Sequence, residues 1–110
     1  MRQIWVSENE CLLGGVRFEV GKGNFSDLKT TCSRAWVLKG KTFFDRYKIY
    51  FGDLRPKNVL EIGIFEGGSA LLLADMWPEA RIVGIDIRDP NPEVDAHIER
   101  LGFADRISLY

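Results

Sequence analysis

The sequence predicts an α/β fold: the N-terminal half of a doubly wound parallel sheet, β-α-β-α-β, preceded by a short β/loop extension and a helix. Three observations predict it. Residues 58–64 (NVLEIGI) and 81–87 (RIVGIDI) are apolar runs with almost no polar alternation, as expected of strands buried on both faces in a parallel sheet. A glycine-broken turn and an all-round apolar helix, 68–77, stand between them. A capped amphipathic helix then leads to a third strand-like run, RISLY, at 106–110.

The elements follow in order. Val16-Arg17-Phe18-Glu19-Val20 alternates apolar and polar, as a half-buried strand does, between turn residues Gly14-Gly15 and Gly21-Lys22-Gly23-Asn24. A hairpin is expected there, anchored by Trp5 and Trp36. From Thr42 the pattern becomes helical: Thr42 and Asp45 have the spacing of a capping box, and Phe43, Tyr47, Phe51 and Leu54 fall on one face. Arg55-Pro56-Lys57 ends that helix. After the strand at 58–64, the glycine turn and the helix at 68–77 closed by Pro78, the second strand runs to Ile87. Asn91 then caps a helix with Pro92 at its first position, Val94, Ile98 and Leu101 face inward, and Gly102 stops it. His97 is expected at the surface or edge of that helix.

Right-handed crossovers place the three strands in the order 3-2-1. Residues 1–40 are therefore read as an N-terminal extension with a hairpin, and 41–110 as a Rossmann-like ligand-binding domain. A full sheet of six or seven strands needs about 200 residues at ~30 per strand-helix unit. The chain is thus expected to be truncated, with the domain incomplete at its C-terminus. The first strand would then expose an apolar edge, a route to a homo-oligomer.

Bulk properties bound the function. The 110 residues suit one domain, with 45% hydrophobic and 28% charged residues. A formal net charge of −1 gives no basic field for nucleic acid or an anionic membrane. No apolar run approaches the ~20 residues of a membrane span, and MRQIWVSENE lacks a secretory leader's apolar stretch. Cys11 and Cys32 have no CxxC spacing and no histidine nearby, so reduced structural thiols in a cytoplasmic protein are expected. The Asn24-Phe25-Ser26 sequon has no meaning without a secretory route. No pair of His, Cys, Asp or Glu has a metal-ligand spacing, and no catalytic residue is identified.

Ligands of doubly wound sheets sit at the carboxyl ends of the strands, here after Ile62. Glycines at Gly63, Gly67 and Gly68 let the backbone bend and a ligand approach, and the helix start at Ser69 offers free N–H groups to an anion. The pattern is E-x-G-x-x-x-G-G-S, not the dinucleotide GxGxxG, because Phe65 stands where the second glycine would be. Glu61, just before the turn, repels phosphate and suits an ammonium. S-adenosylmethionine carries an ammonium, a carboxylate and a sulfonium. Asp86 ends the second strand, and its two oxygens can accept from adjacent ribose hydroxyls. Ile87 and Arg88 follow it and can flank the adenine. Each residue has a plainer reading too: Glu61 as a buried acid paired with a lysine or arginine, Asp86 as a turn cap, Ser69 as a helix cap.

LEIGIFEGGSALLL followed by RIVGIDI resembles the first two motifs of class I S-adenosylmethionine-dependent methyltransferases. It is closest to the small-molecule O-methyltransferase branch of catechol, caffeoyl-CoA and macrocin methyltransferase-like enzymes. The resemblance covers residues 58–90 and implies a Rossmann-like fold, S-adenosylmethionine as cofactor and a small-molecule methyl acceptor. It implies contacts to the methionine moiety from Glu61, Gly63 and the Gly67-Gly68-Ser69 turn, and to the ribose from Asp86. The aromatic Phe65, where other members carry glycine, is frequent in this branch. Two other readings stand beside it: a nicotinamide- or nucleotide-binding domain of an oxidoreductase, against which the missing glycine at 65 argues, and a non-catalytic methyltransferase-like binding module.

Overall fold

The computed structural model describes residues 2–21 and 29–110. The turn expected at Lys22-Gly23-Asn24 and the sequon at 24–26 lie outside the described residues.

Four short strands open the chain: β1 (Ile4–Ser7), β2 (Glu10–Leu13), β3 (Val16–Val20) and β4 (Arg34–Val37). The first three form an antiparallel meander, Leu13 opposite Val16 across the Gly14-Gly15 loop, and β4 adds parallel to β3 with Ala35 opposite Phe18. Alternation in the sequence marks only β3. The others are four residues long, too short to display a period of two. Cys11, Leu13, Val16, Phe18 and Val20 all point into the core.

The second half contains α1 (Lys41–Phe51), β5 (Asn58–Ile62), α2 (Gly68–Met76), β6 (Arg81–Ile85), α3 (Pro92–Arg100) and β7 (Ile107–Leu109). Strands β5, β6 and β7 pair in parallel in that order, Leu60 opposite Val83 and Ile82 opposite Ile107. The chain is thus a mixed α/β structure with a parallel sheet. All nine residues of α2 are buried, because the helix packs against β4 of the first sheet and against β6 and β7 of the second. That accounts for its all-round apolar sequence. Its last carbonyls are met by the Arg106 guanidinium, which donates to Ala74 O (2.9 Å) and to the C-cap Trp77 O (3.2 Å), and beyond the helix to Ala80 O (2.8 Å).

Several expectations need correction. Thr42 does not cap α1: the N-cap is Gly40 without a side-chain bond, and Asp45 instead accepts from Lys41 at 2.8 Å. The helix ends at Phe51, so Leu54 lies beyond it. Phe44, not Phe43, is the buried aromatic, because it packs on Trp5 of β1 and on Tyr47 (centroids 5.8 and 6.0 Å). Tyr47 reaches Trp77 in turn, while Phe43, Phe51 and Leu54 are exposed.

The parallel strands are not buried on both faces. Val59, Glu61, Ile82, Gly84, Ile107 and Leu109 alternate onto the side that α2 covers. Leu60, Ile62 and Ile85 alternate onto the other side and are exposed, Ile62 at 73%. No described element packs on that side. His97 is also not at the surface: it is fully buried, with Nε2 2.7 Å from Thr31 O and Nδ1 3.1 Å from Arg100 Nη1. Since the guanidinium can only donate, Nδ1 accepts and Nε2–H donates to Thr31.

Candidate functional site

The turn between β5 and α2 is bound on every side. Gly67, at φ +103°, is the N-cap of α2. This left-handed position favours glycine, and a Cβ there would also lie 2.6 Å from Leu109 Cδ1. At Gly68 a Cβ would meet the Trp36 carbonyl oxygen at 2.7 Å, so β4 rides directly on the first turn of α2. Glu66 ties the turn outward. Its Oε1 accepts from Thr30 N and Thr30 Oγ1, both at 2.9 Å, and its Oε2 from Asn91 Nδ2 at 2.7 Å. Asn91 Oδ1 meanwhile accepts from Glu93 N and caps α3.

Phe65 is the tightest point. It lies at φ +57°, left-handed for a bulky residue, which costs about 1–2 kcal/mol. Its ring stands edge-on to Trp36 (4.9 Å, 90°) with the Arg88 guanidinium 4.2 Å above it. The conformation aims its amide at Asp86, whose Oδ2 accepts it at 2.7 Å, and Oδ1 accepts from Arg88 N at 3.1 Å. The backbone amides of Arg88 and then Phe65 hold the Asp86 carboxyl below its ordinary range, so an acceptor-only group faces solvent.

Asp86 lines an open hollow of about 450 Å3 at the carboxyl ends of β5 and β6, with Ile62, Gly63, Ile85 and Ile87. Three apolar side chains, a bare glycine and one carboxylate suit a flat heterocycle joined to a diol. Nothing stands within 4 Å of where a Gly63 Cβ would be. Glu61 lines a different hollow, about 170 Å3, with Tyr47, Phe51, Val59, Leu60, Leu73 and Trp77. Its Oε1 accepts from Lys39 Nζ and from Ser69 Oγ, each at 2.6 Å. Its Oε2 is buried and has no hydrogen-bond partner among the described residues.

The structure therefore brings Gly63, Asp86 and Ile87 together in one hollow and puts Glu61 with Ser69 in a neighbouring cluster. Phe65 contacts the first through its amide, and Gly67 and Gly68 shape the turn. Lys39, Thr30 and Glu66 had no signal in the sequence. The partner type for Glu61, a lysine, is one the sequence allowed, but its identity depends on a contact 22 positions away. No group of three or more His, Cys, Asp or Glu able to hold a metal occurs among the described residues, and no described helix is long and apolar enough to cross a membrane.

The class is a parallel α/β unit with a glycine turn after its first strand and an acid after its second, at the strand ends where such sheets take their ligands. The particular family follows from the sequence of that unit: residues 48–110, more than half of the chain, match the O-methyltransferase family model. The chain belongs to this family of class I S-adenosylmethionine-dependent enzymes. It matches no curated protein and no solved structure. The residues fit the family's cofactor. The orphaned Glu61 oxygen is an acceptor for an ammonium, the space at Gly63 admits close approach, and Asp86 keeps lone pairs for hydroxyls.

Proposed function

We propose that the chain holds S-adenosylmethionine for methyl transfer to a hydroxyl of a small molecule. The observation that carries this reading is the shared hollow of Gly63 and Asp86 at the carboxyl ends of β5 and β6. In it, Asp86 accepts from the two ribose hydroxyls while Ile62, Ile85 and Ile87 shield the adenine. Glu61 and Ser69 receive the amino-acid end, with Gly67 and Gly68 turning the backbone so that the start of α2 faces it. Bound there, S-adenosylmethionine would supply an electrophilic methyl group. The contribution of these residues is position: an in-line displacement needs acceptor oxygen, methyl carbon and sulfur on one axis, and fixing them removes much of the barrier. No acceptor base is assigned, so the part given to this chain is cofactor binding. The net charge of −1 supports a small acceptor over nucleic acid. The free thiols of Cys11 and Cys32 support a cytoplasmic setting.

Calorimetric titration with S-adenosylhomocysteine and, separately, with NAD tests the reading. The homocysteine ligand is expected to bind and NAD is not. Asp86→Ala should weaken binding by at least about ten-fold, the value of one hydrogen bond to a charged group. Binding of NAD alone, or an unchanged affinity in Asp86→Ala, would overturn it.

A further inference from the structure

His97 is fully buried on α3 and lines neither hollow described above. Both ring nitrogens are used. Nε2–H donates to Thr31 O, and Nδ1 accepts from Arg100, which also donates to Cys32 O at 2.8 Å. Thr30, one residue earlier, holds the glycine turn. Its N–H and hydroxyl donate to Glu66 Oε1, its carbonyl accepts from Asn91 Nδ2 at 3.3 Å, and its Oγ1 accepts from Trp36 N at 3.1 Å. Glu66 adjoins Phe65, whose amide fixes Asp86. A run of hydrogen bonds and peptide units thus leads from His97 to the acid of the nucleoside hollow.

Arg100 admits only one state of the ring. A guanidinium has no acceptor, so Nδ1 must keep its lone pair. Protonation would set an N–H and a positive charge 3.1 Å from Arg100 Nη1. No carboxylate offsets this in hydrogen-bond contact with the ring among the described residues. Glu93, Asp95 and Glu99 on the same helix are exposed, as are Lys29 and Cys32 on the facing segment, and Glu66 is taken up by Thr30 and Asn91. Resting on the cofactor reading above, we propose that His97 is a positioning residue for S-adenosylmethionine: its neutral ring holds residues 30–32 on the glycine turn, and its protonation releases them and with them the setting of Asp86. Binding is then strongest near pH 8 and weakens as pH falls toward 5, the range in which an imidazole ordinarily gains its proton. His97 is the only histidine of the chain, and Asp86, held below its ordinary range, stays ionised throughout.

Calorimetric titrations with S-adenosylhomocysteine and with methylthioadenosine, which has no amino-acid end, test this. They run from pH 8 to the lowest pH, down to 5, at which near-UV circular dichroism shows the native fold. Both ligands carry the ribose, so both should bind the natural chain about five-fold or more weakly at the acid end, the worth of one hydrogen bond. His97→Gln, whose amide can donate to Thr31 and accept from Arg100 but takes up no proton, should bind with one affinity across the range. Glu66→Ala, which cuts the link to the turn, should bind weakly and also without pH dependence. A flat profile in the natural chain, or an equal acid loss in His97→Gln, overturns the role of His97 and leaves the cofactor site standing. Failure of the natural chain to bind either ligand at pH 8 overturns both readings. If His97→Gln does not fold, Glu66→Ala decides: an undiminished acid loss there sinks the proposal.

Discussion

Phe65 and Asp86 form one device at the scale of the residue. The left-handed backbone of Phe65 is sustained by Trp36, Arg88 and the amide bond to Asp86, and that bond fixes where the carboxylate points. The place of the acid was legible, since an aspartate follows an apolar strand beside a glycine turn. The orientation was not, because it depends on a φ angle that no side chain announces. The two cysteines differ in the same way. Cys32 is exposed and Cys11 buried, so a thiol reagent should modify one group in the native protein and both after denaturation. Burial pushes the Cys11 thiol up from 9.0 to about 11. Its folded value is raised, so its contribution to stability is complete below pH 9.0 and is lost as pH rises toward 11. Cys11→Ala cannot lose it. In denaturant titrations the stability gap between the natural chain and Cys11→Ala should therefore narrow from pH 8 to pH 11; a constant gap would contradict the buried thiol.

Among the elements, α2 decides the packing. Its continuous apolar sequence was readable as a wholly buried helix, and the capped α3 as an amphipathic one, since both patterns lie within a single segment. What α2 is buried against was not readable. The first sheet consists of strands too short for periodicity, and β4 reaches its place by pairing in parallel with β3. Asp75 is the one charged residue on α2. It accepts from Arg2 N, Gln3 N and Gln3 Nε2 at 2.9–3.1 Å and so fastens the start of the chain to the helix. Asp75→Ala strands those buried donors and should cost about 2–4 kcal/mol in chemical denaturation. A loss below ~0.5 kcal/mol would mean that the N-terminal strand is not held this way.

At the scale of the whole molecule, the two sheets clasp α2 and, among the described residues, nothing covers the other face of the second sheet. Leu60, Ile62 and Ile85 on that face, with the fully exposed Ile87 beside them, make an apolar patch of the kind that seeks a cover. The sequence reading expected strands buried on both sides, whereas the described residues cover them on one side only, because apolar composition does not say which face is packed. The chain is expected to self-associate in a concentration-dependent way through this region in sedimentation velocity. Leu60→Lys, on the same face but outside the Asp86 hollow, should shift the population toward monomer, and an unaffected profile would place the contact elsewhere.

The Thr30–Glu66–Asn91 bonds and the seat of Trp36 on Gly68 also bear on how this protein could be engineered. The part that carries the family signature borrows the stiffness of its glycine turn from residues upstream of that signature. A chimera that transplants only positions 48–110 behind a foreign leader would inherit the motif letters without the brace that gives them shape.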